Sequence, residues 1–424
     1  MSFDWQTQEE INWDEPPPLP EEPRAPRPRR RLWPYVLLMV VVGAATAVFI
    51  TIRELNQRVE DAEAEARLAV ISSYNVIQQA AADQDSELFV GFLSGKDAHW
   101  SAAQEEVVRE GAFLDRDGLG LQRLNTVTTE TAVITFAPDL TAAEMTITQT
   151  YGVDIGNGLS QTVQLQQTAV YRLGPNRWLL APPEPEFWGE TLTSNGRYLT
   201  TTYPERDAEI GRRLAADLDR KLIEMCEQLA GINCPTDLHF GLQLTTDPRV
   251  LLDVQNGRLP SDRSLRLPTP TLIGLPQDEA SYRALQRGYA EWVVTAVISN
   301  LAGWLCCDHE LFFQAIVDIQ LQQLGLQTLP PLPYNQIQEE ASQLDAASDL
   351  WDRPYAIAQP MQRQIIYALI EFLTVEIGIS THPLQRELGD ITYRSWLFNV
   401  TGDHFTTYED AERAWQLFLA ERAS

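Results

Sequence analysis

Positive charge is scarce in this chain: 32 Lys and Arg stand against 59 Asp and Glu over 424 residues, a formal net charge of −27. A surface of that sign repels phosphate backbones and anionic headgroups, so no nucleic-acid partner is expected, and a large exported body stays soluble. Histidine is rarer still, with five residues, and cysteine is limited to Cys226, Cys234, Cys306 and Cys307. No Gly-x-Ser-x-Gly elbow and no phosphate-cradling glycine loop is present, so neither an α/β-hydrolase nucleophile turn nor a P-loop is indicated.

What is present is one long apolar run. Trp33 to Ile52 carries no charged side chain over twenty residues. At ~1.5 Å per residue a helix of that length covers roughly 30 Å, the hydrocarbon thickness of a bilayer, and a helix satisfies its own backbone there. Trp33 and Tyr35 stand where interfacial aromatic anchors belong. The small residues Gly43, Ala44, Ala45 and Ala47 give some support to a cleaved secretory signal. Against it stand the 32 residues before the run and the run's own length. Arg24, Arg27, Arg29, Arg30 and Arg31 crowd the N-terminal flank, so the positive-inside bias predicts a cytoplasmic N-terminus with residues 53–424 exported. That exported part holds 27 basic against 52 acidic residues and is long enough to favour two domains.

Residues 1–32 hold seven prolines, acidic residues and the isolated Trp5 and Trp13, a composition without an apolar face and expected to be disordered. Such a tail is a solvated linker or a docking segment for a cytoplasmic partner. After the span, Leu55, Val59, Ala62, Ala66, Ala69, Ser73, Val76 and Ala80 form a heptad stripe over a stalk at 53–83. The stripe either pairs two protomers into a homodimer or packs its later turns on the domain that follows. From 84 to 192 short helices around Phe89 and Trp100 precede four strand-like runs, the last two joined by Gly174, Pro175 and Asn176. That order predicts an α+β layer with one sheet face covered. With its closing segment AVYRLGPNRWLLAPP it resembles the cone-shaped nuclear transport factor-like domains, which hold a small ligand or serve as spacers.

From 196 onward the pattern is a strand at Tyr198–Thr202, a helix from Asp207 to Leu229, a strand through Leu238 to Leu244, a short strand at Thr271–Leu275, and then helices near 279–301, 309–325, 335–347, 361–376 and 411–420. This small sheet followed by a helical bundle, with the run IIYALIEFLTVEIG and then Trp396, Gly402 and Trp415, resembles the peptidase MA-like branch of the gluzincin metallopeptidases. In that family a His-Glu-x-x-His helix holds zinc, because two imidazoles four apart face the same way and the carboxylate between them activates water. Here the matching run is Ala290, Glu291, Trp292, Val293, Val294. Both ligand positions are aliphatic, and the third ligand's position falls near Gln314. The resemblance therefore implies no zinc, no cofactor and no catalytic residue, with the former substrate cleft left as a surface for a peptide or a protein.

A second His-Glu run starts at His309, beside Cys306, Cys307 and Asp308, but its fifth position is Phe313. Cys306, Cys307 and His309 are candidate metal ligands, whereas in an exported chain paired cysteines are more commonly disulfides. Three pairings of the four cysteines remain open, and a bond between the neighbours Cys306 and Cys307 would be strained. His99 reads as a surface or capping histidine, and His239, His382 and His404 have no evident partner in the sequence. The sequence thus points to an anchored, exported binding or scaffolding module. Its alternatives are an anchored metal-dependent hydrolase around Glu291, Asp308 and His309, and a signalling or assembly protein.

Overall fold

The structure, a computed structural model, describes residues 33–124, 132–156, 159–228, 234–257, 263–302, 310–343, 361–379, 384 and 400–424. The tail reading therefore lies outside the described residues. The chain is a mixed α+β protein that divides into two units, Met1–Ala62 and Glu63–Ser424.

The described part of the first unit is helical. Helix α1 runs Trp33–Ala82, and the apolar run opens it. Trp33, Met39 and Phe49 are 77%, 76% and 67% exposed, and no residue of the most apolar window is buried. Surface of that kind requires an apolar medium to cover it. Thr46 and Thr51 donate their hydroxyls back to the carbonyls of Val42 and Ala47 at 2.8 and 2.9 Å, so neither polar group is left unpaired in such a medium. Among the described residues α1 is the one helix long and apolar enough to cross a membrane.

In the second unit the last turns of α1 bury Val70, Ser73, Tyr74, Ile77, Ala80 and Ala81 at helical spacing. Of the two readings of the stalk stripe, packing on the following domain describes these turns, whereas Leu55 and Val59 are exposed. Short helices α2 (Ser86–Val90) and α3 (Ala98–Arg109) follow, each opened by an aspartate whose carboxylate accepts backbone N–H groups: Asp85 from Leu88, and Asp97 from His99 and Trp100. The first sheet is built on a hairpin of two 15-residue strands, β3 (Ala142–Gly156) and β4 (Leu159–Leu173), in register Met145↔Ala169. β1 (Gln122–Arg123) and β2 (Val133–Phe136) pair with β3, and β5 (Trp178–Leu180) pairs with β4. All these pairings are antiparallel.

After the short helix α4 (Pro185–Trp188), β6 (Thr191–Asn195) and β7 (Leu199–Pro204) form a second hairpin, so the second sheet starts seven residues before the strand expected at its head. Its turn is fixed by Asp219, whose carboxylate accepts the N–H groups of Arg197, Tyr198 and Leu199 at 2.9, 2.8 and 3.0 Å. A Cβ at Gly196 would meet that carboxylate at 2.3 Å, so a larger residue there would displace the group that holds the turn. Helix α5 (Ala208–Ile223) buries Leu214, Leu218 and Leu222 and ends in a π-turn where Cys226 bonds Cys234. Of the open cysteine pairings this one is formed; Cys306 and Cys307 lie outside the described residues. β8 (Phe240–Thr245) adds in parallel to β7 and β9 (Ser264–Pro268) in parallel to β8, with α6 (Val250–Gln255) between them in sequence.

The short strand expected at Thr271–Leu275 is instead a helical turn, α7 (Pro270–Ile273), followed by β10 (Leu275–Pro276). Pro270 at the first helical position pre-sets φ, which the alternation of apolar residues concealed. β10 pairs with Leu165 and Gln166 of β4, so it closes the first sheet rather than the second. Among the described residues the bundle is formed by helices α8 (Glu279–Ala302), α9 (Glu310–Gln323), α10 (Tyr334–Gln343), α11 (Gln362–Glu371) and α12 (Tyr408–Ala423), α11 running on into a π-turn at Phe372–Glu376.

The two expected domains share a core. A strand of 15 residues spans ~50 Å, more than one hydrophobic core fills. The end of the hairpin carrying Met145, Ile147 and Tyr171 packs with α1 and α2. The other end, with Tyr151, Val153, Val163 and Leu165, belongs to the same cluster as Leu285 and Tyr289 of α8 and Leu242 of β8. Glu63–Ser424 is accordingly one compact unit.

Candidate functional site

Helix α8 is apolar on most of its surface. Tyr282, Leu285, Tyr289, Val293, Val297 and Ile298 are buried, and Trp292 donates its indole N–H to the carbonyl of Gly118 at 2.7 Å. Gly288 lies against the backbone of Leu119, where a Cβ would meet the carbonyl oxygen at 2.5 Å. Asp278 opens the helix by accepting the N–H and hydroxyl of Ser281 at 2.8 and 2.7 Å. What remains is a narrow polar strip of Arg287 and Glu291, one turn apart, and it lines a cleft of about 980 Å³.

The facing wall comes from α9 and α11. Gln314 and Asp318, one turn apart on α9, and Arg363, Tyr367 and Glu371, spaced by four on α11, all line the same cleft, and Thr328–Pro333 borders it. Asp318 is its hub. It is 5% exposed, and its carboxylate accepts from Arg363 at 2.7 Å, from the Tyr367 hydroxyl, from Gln327 at 3.2 Å and from Gln314 at 3.4 Å. Gln327 also donates to the Asp318 carbonyl at 2.7 Å. Arg287 is held by the carbonyl of Asp154 and by Gln327 at 3.2 Å. Glu371 accepts from Tyr334 at 2.6 Å and pairs with Arg422 at 3.2 Å.

Glu291 differs from its neighbours: it is half-buried and has no hydrogen-bond or ion-pair partner among the described residues. Burial, reinforced by the Asp318 carboxylate, raises its carboxyl above the ordinary glutamate value, against the pull of Arg287 and Arg363. Burial likewise raises the Tyr367 hydroxyl, with Asp318 adding to the effect, so that group stays a neutral donor.

Of the residues singled out by sequence, Glu291 and Gln314 come together in this cleft, while Ala290 and Val294 are each 1% exposed within the core. Cys306, Cys307, Asp308 and His309 lie outside the described residues. No three His, Cys, Asp or Glu side chains gather at metal-binding distance among the described residues. His382 is also outside them. His99 is exposed in the first turn of α3 and contacts the Arg249 guanidinium at 2.8 Å, whereas His239, expected to be isolated, contacts the Thr200 hydroxyl at 2.9 Å and the Arg197 carbonyl at 3.2 Å. His404 is exposed. Sequence reasoning missed Arg287, Asp318, Arg363 and Tyr367. Their signal was there in the four-residue spacings 287/291, 314/318 and 363/367, which put each pair on one helix face. Comparison with protein-family models returns no match, and no curated protein matches the chain.

Proposed function

We propose that this chain is a membrane-anchored binding module, held in the bilayer through Trp33 to Ile52 with its N-terminus in the cytoplasm and the body from Glu63 onward outside. Its core has a gluzincin-like arrangement without the zinc ligands. The observation that carries this reading is the position of Glu291: a carboxylate with no partner, half-buried in a cleft whose other charged side chains are engaged with protein groups. An unpaired, partly desolvated charge is costly, and a ligand cation removes that cost. A cleft of about 980 Å³ has room for a short polypeptide segment, and a lysine or arginine side chain of that polypeptide is the group that complements Glu291. At the positions where a peptidase of this arrangement would hold zinc, Ala290 and Val294 are hydrocarbon in the core, so the cleft has a means to hold a chain and no ionised water to cut it.

The experiment is a joint measurement of metal content and of cleavage of unstructured peptides by the purified full chain. The reading expects no stoichiometric zinc and no cleavage; bound zinc together with cleavage abolished by Glu291→Gln overturns it. A second reading, an anchored hydrolase using Glu291 as a proton-transfer group, draws support from the raised proton affinity of that carboxyl. The same cleavage assay separates the two. Pairing of two copies through exposed Leu55 and Val59 is a further part of the proposal, read out by sedimentation of the full chain in detergent.

A further inference from the structure

A second cavity, of about 600 Å³, lies between the last turns of α1, helix α3 and the inner face of the first sheet, and Thr245–Pro248, Leu251 and Leu272 close it from the other lobe. Its apolar wall includes Trp100, Phe113, Met145, Ile147 and Ala169. The inner sheet face is interrupted by polar groups: Gln149 donates to the Tyr74 hydroxyl at 2.7 Å, and Gln167 donates to the Tyr151 hydroxyl at 2.7 Å.

Arg116 lines this cavity and is 6% exposed. Its Nη1 donates to the carbonyls of Ala112, Phe113 and Asp115 at 3.0, 3.1 and 2.7 Å, and its Nη2 to that of Leu272 at 3.3 Å. Its Nε is buried with no acceptor. No carboxylate pairs with this guanidinium among the described residues, in a chain with 59 acidic side chains to offer. Arg123 repeats the pattern nearby, with Nη2 on Gln78 at 2.7 Å and a buried Nε without acceptor. The phenols supply no counter-charge, since burial pushes Tyr74 up to about 12 and raises Tyr151 as well. The two carboxylates on the lining are engaged: Asp97 caps α3, and Asp247 accepts the N–H of Arg249 at 3.1 Å and faces Arg266 at 4.0 Å. A guanidinium stays protonated, so inside this accessible cavity its charge is met by carbonyl dipoles and by the distant pull of the exposed Asp115 carboxylate, with no ion pair to neutralise it.

We propose that this cavity binds a small molecule with an apolar body and an anionic head, the body against Trp100 and Ile147 and the head on Arg116.

The test uses the full chain in nanodiscs, with empty nanodiscs subtracted, titrated with 2-naphthoate and with its neutral isostere 2-naphthamide while tryptophan emission is followed. The expected result is saturable naphthoate binding at least tenfold tighter than naphthamide binding. Arg116→Met removes that tenfold preference, and Ala169→Phe, which fills the cavity from the opposite wall, removes binding of both probes. Equal affinity for the two probes in the unsubstituted chain, or naphthoate binding unchanged by Ala169→Phe, overturns the proposal. Because the probe comparison is made on the unsubstituted chain, it decides the matter even where Arg116→Met fails to fold.

Discussion

Replacing Asp318 by asparagine keeps the shape of the cleft's hub and deletes its charge. In the parent, Asp318 ties α9 to α11 through Arg363 at 2.7 Å and the Tyr367 hydroxyl, and to the following turn through Gln327. Hydrogen bonds to a charged group contribute about 1.5–3 kcal/mol each, and losing one member of a buried pair costs about 3–5 kcal/mol. The Asp318 side chain is 8% exposed but that of Arg363 is 55% exposed, so water rehydrates the abandoned guanidinium and the figure falls towards the lower range, about 2–3 kcal/mol. For a body the size of Glu63–Ser424 the unfolding entropy converts this into a loss of about 3–4 °C in melting temperature. The assay is thermal unfolding of the full chain in nanodiscs, followed by tryptophan emission, for Asp318→Asn, Arg363→Met and the double variant. A coupling of about 1 kcal/mol or more between the two sites is expected. Single losses that simply add in the double variant, or an Asp318→Asn that melts with the parent, would refute the hub.

Glu291 has its proton affinity raised by folding, so its ionised form destabilises the folded state above the ordinary value of 4.5 and the protonated form does not below it. Glu291→Gln is therefore expected to melt above the parent at pH 8, with the difference vanishing as pH falls below 4.5; a constant difference across that range contradicts the assignment. Opening the Cys226–Cys234 bond, whose partners are eight residues apart, is expected to cost roughly 2–3 kcal/mol, checked by denaturant titration of Cys226→Ala/Cys234→Ala against the parent. Tyr151→Ala removes a fully buried ring and the acceptor of Gln167, with an expected loss of about 3–5 kcal/mol. Because the long hairpin serves both clusters, the loss should appear as one shifted transition; two separate transitions would show independent domains.

Much of the architecture was legible because it rests on periodicity. The apolar run from Trp33, the alternation of Met145, Ile147, Tyr151 and Val153, and the stripe of Leu214, Leu218 and Leu222 each name their element and its buried face. What escaped was non-local. Nothing around Leu275 signals that two residues leave the second lobe to pair with β4, since that pairing is decided by the length of β4 and not by the segment itself. A preceding Pro270 turned an apolar alternation into a helical turn. At the cleft, Glu291 stood out because it keeps the motif's carboxylate and Gln314 because it departs from the ligand expected there, whereas Asp318 and Arg363 look like ordinary solvated charges until α9 and α11 are placed side by side.

The claim on which the functional account turns is that the unpaired Glu291 carboxylate receives a ligand cation and does no chemistry. An unstructured lysine-containing peptide and its acetyl-lysine counterpart, titrated onto the full chain in nanodiscs and recovered for mass spectrometry, measure both halves at once. The account predicts that the basic peptide binds at least tenfold tighter, that Glu291→Gln erases the preference, and that the peptide is recovered whole. Equal affinity for the two peptides, or cleavage that disappears in Glu291→Gln, would contradict it.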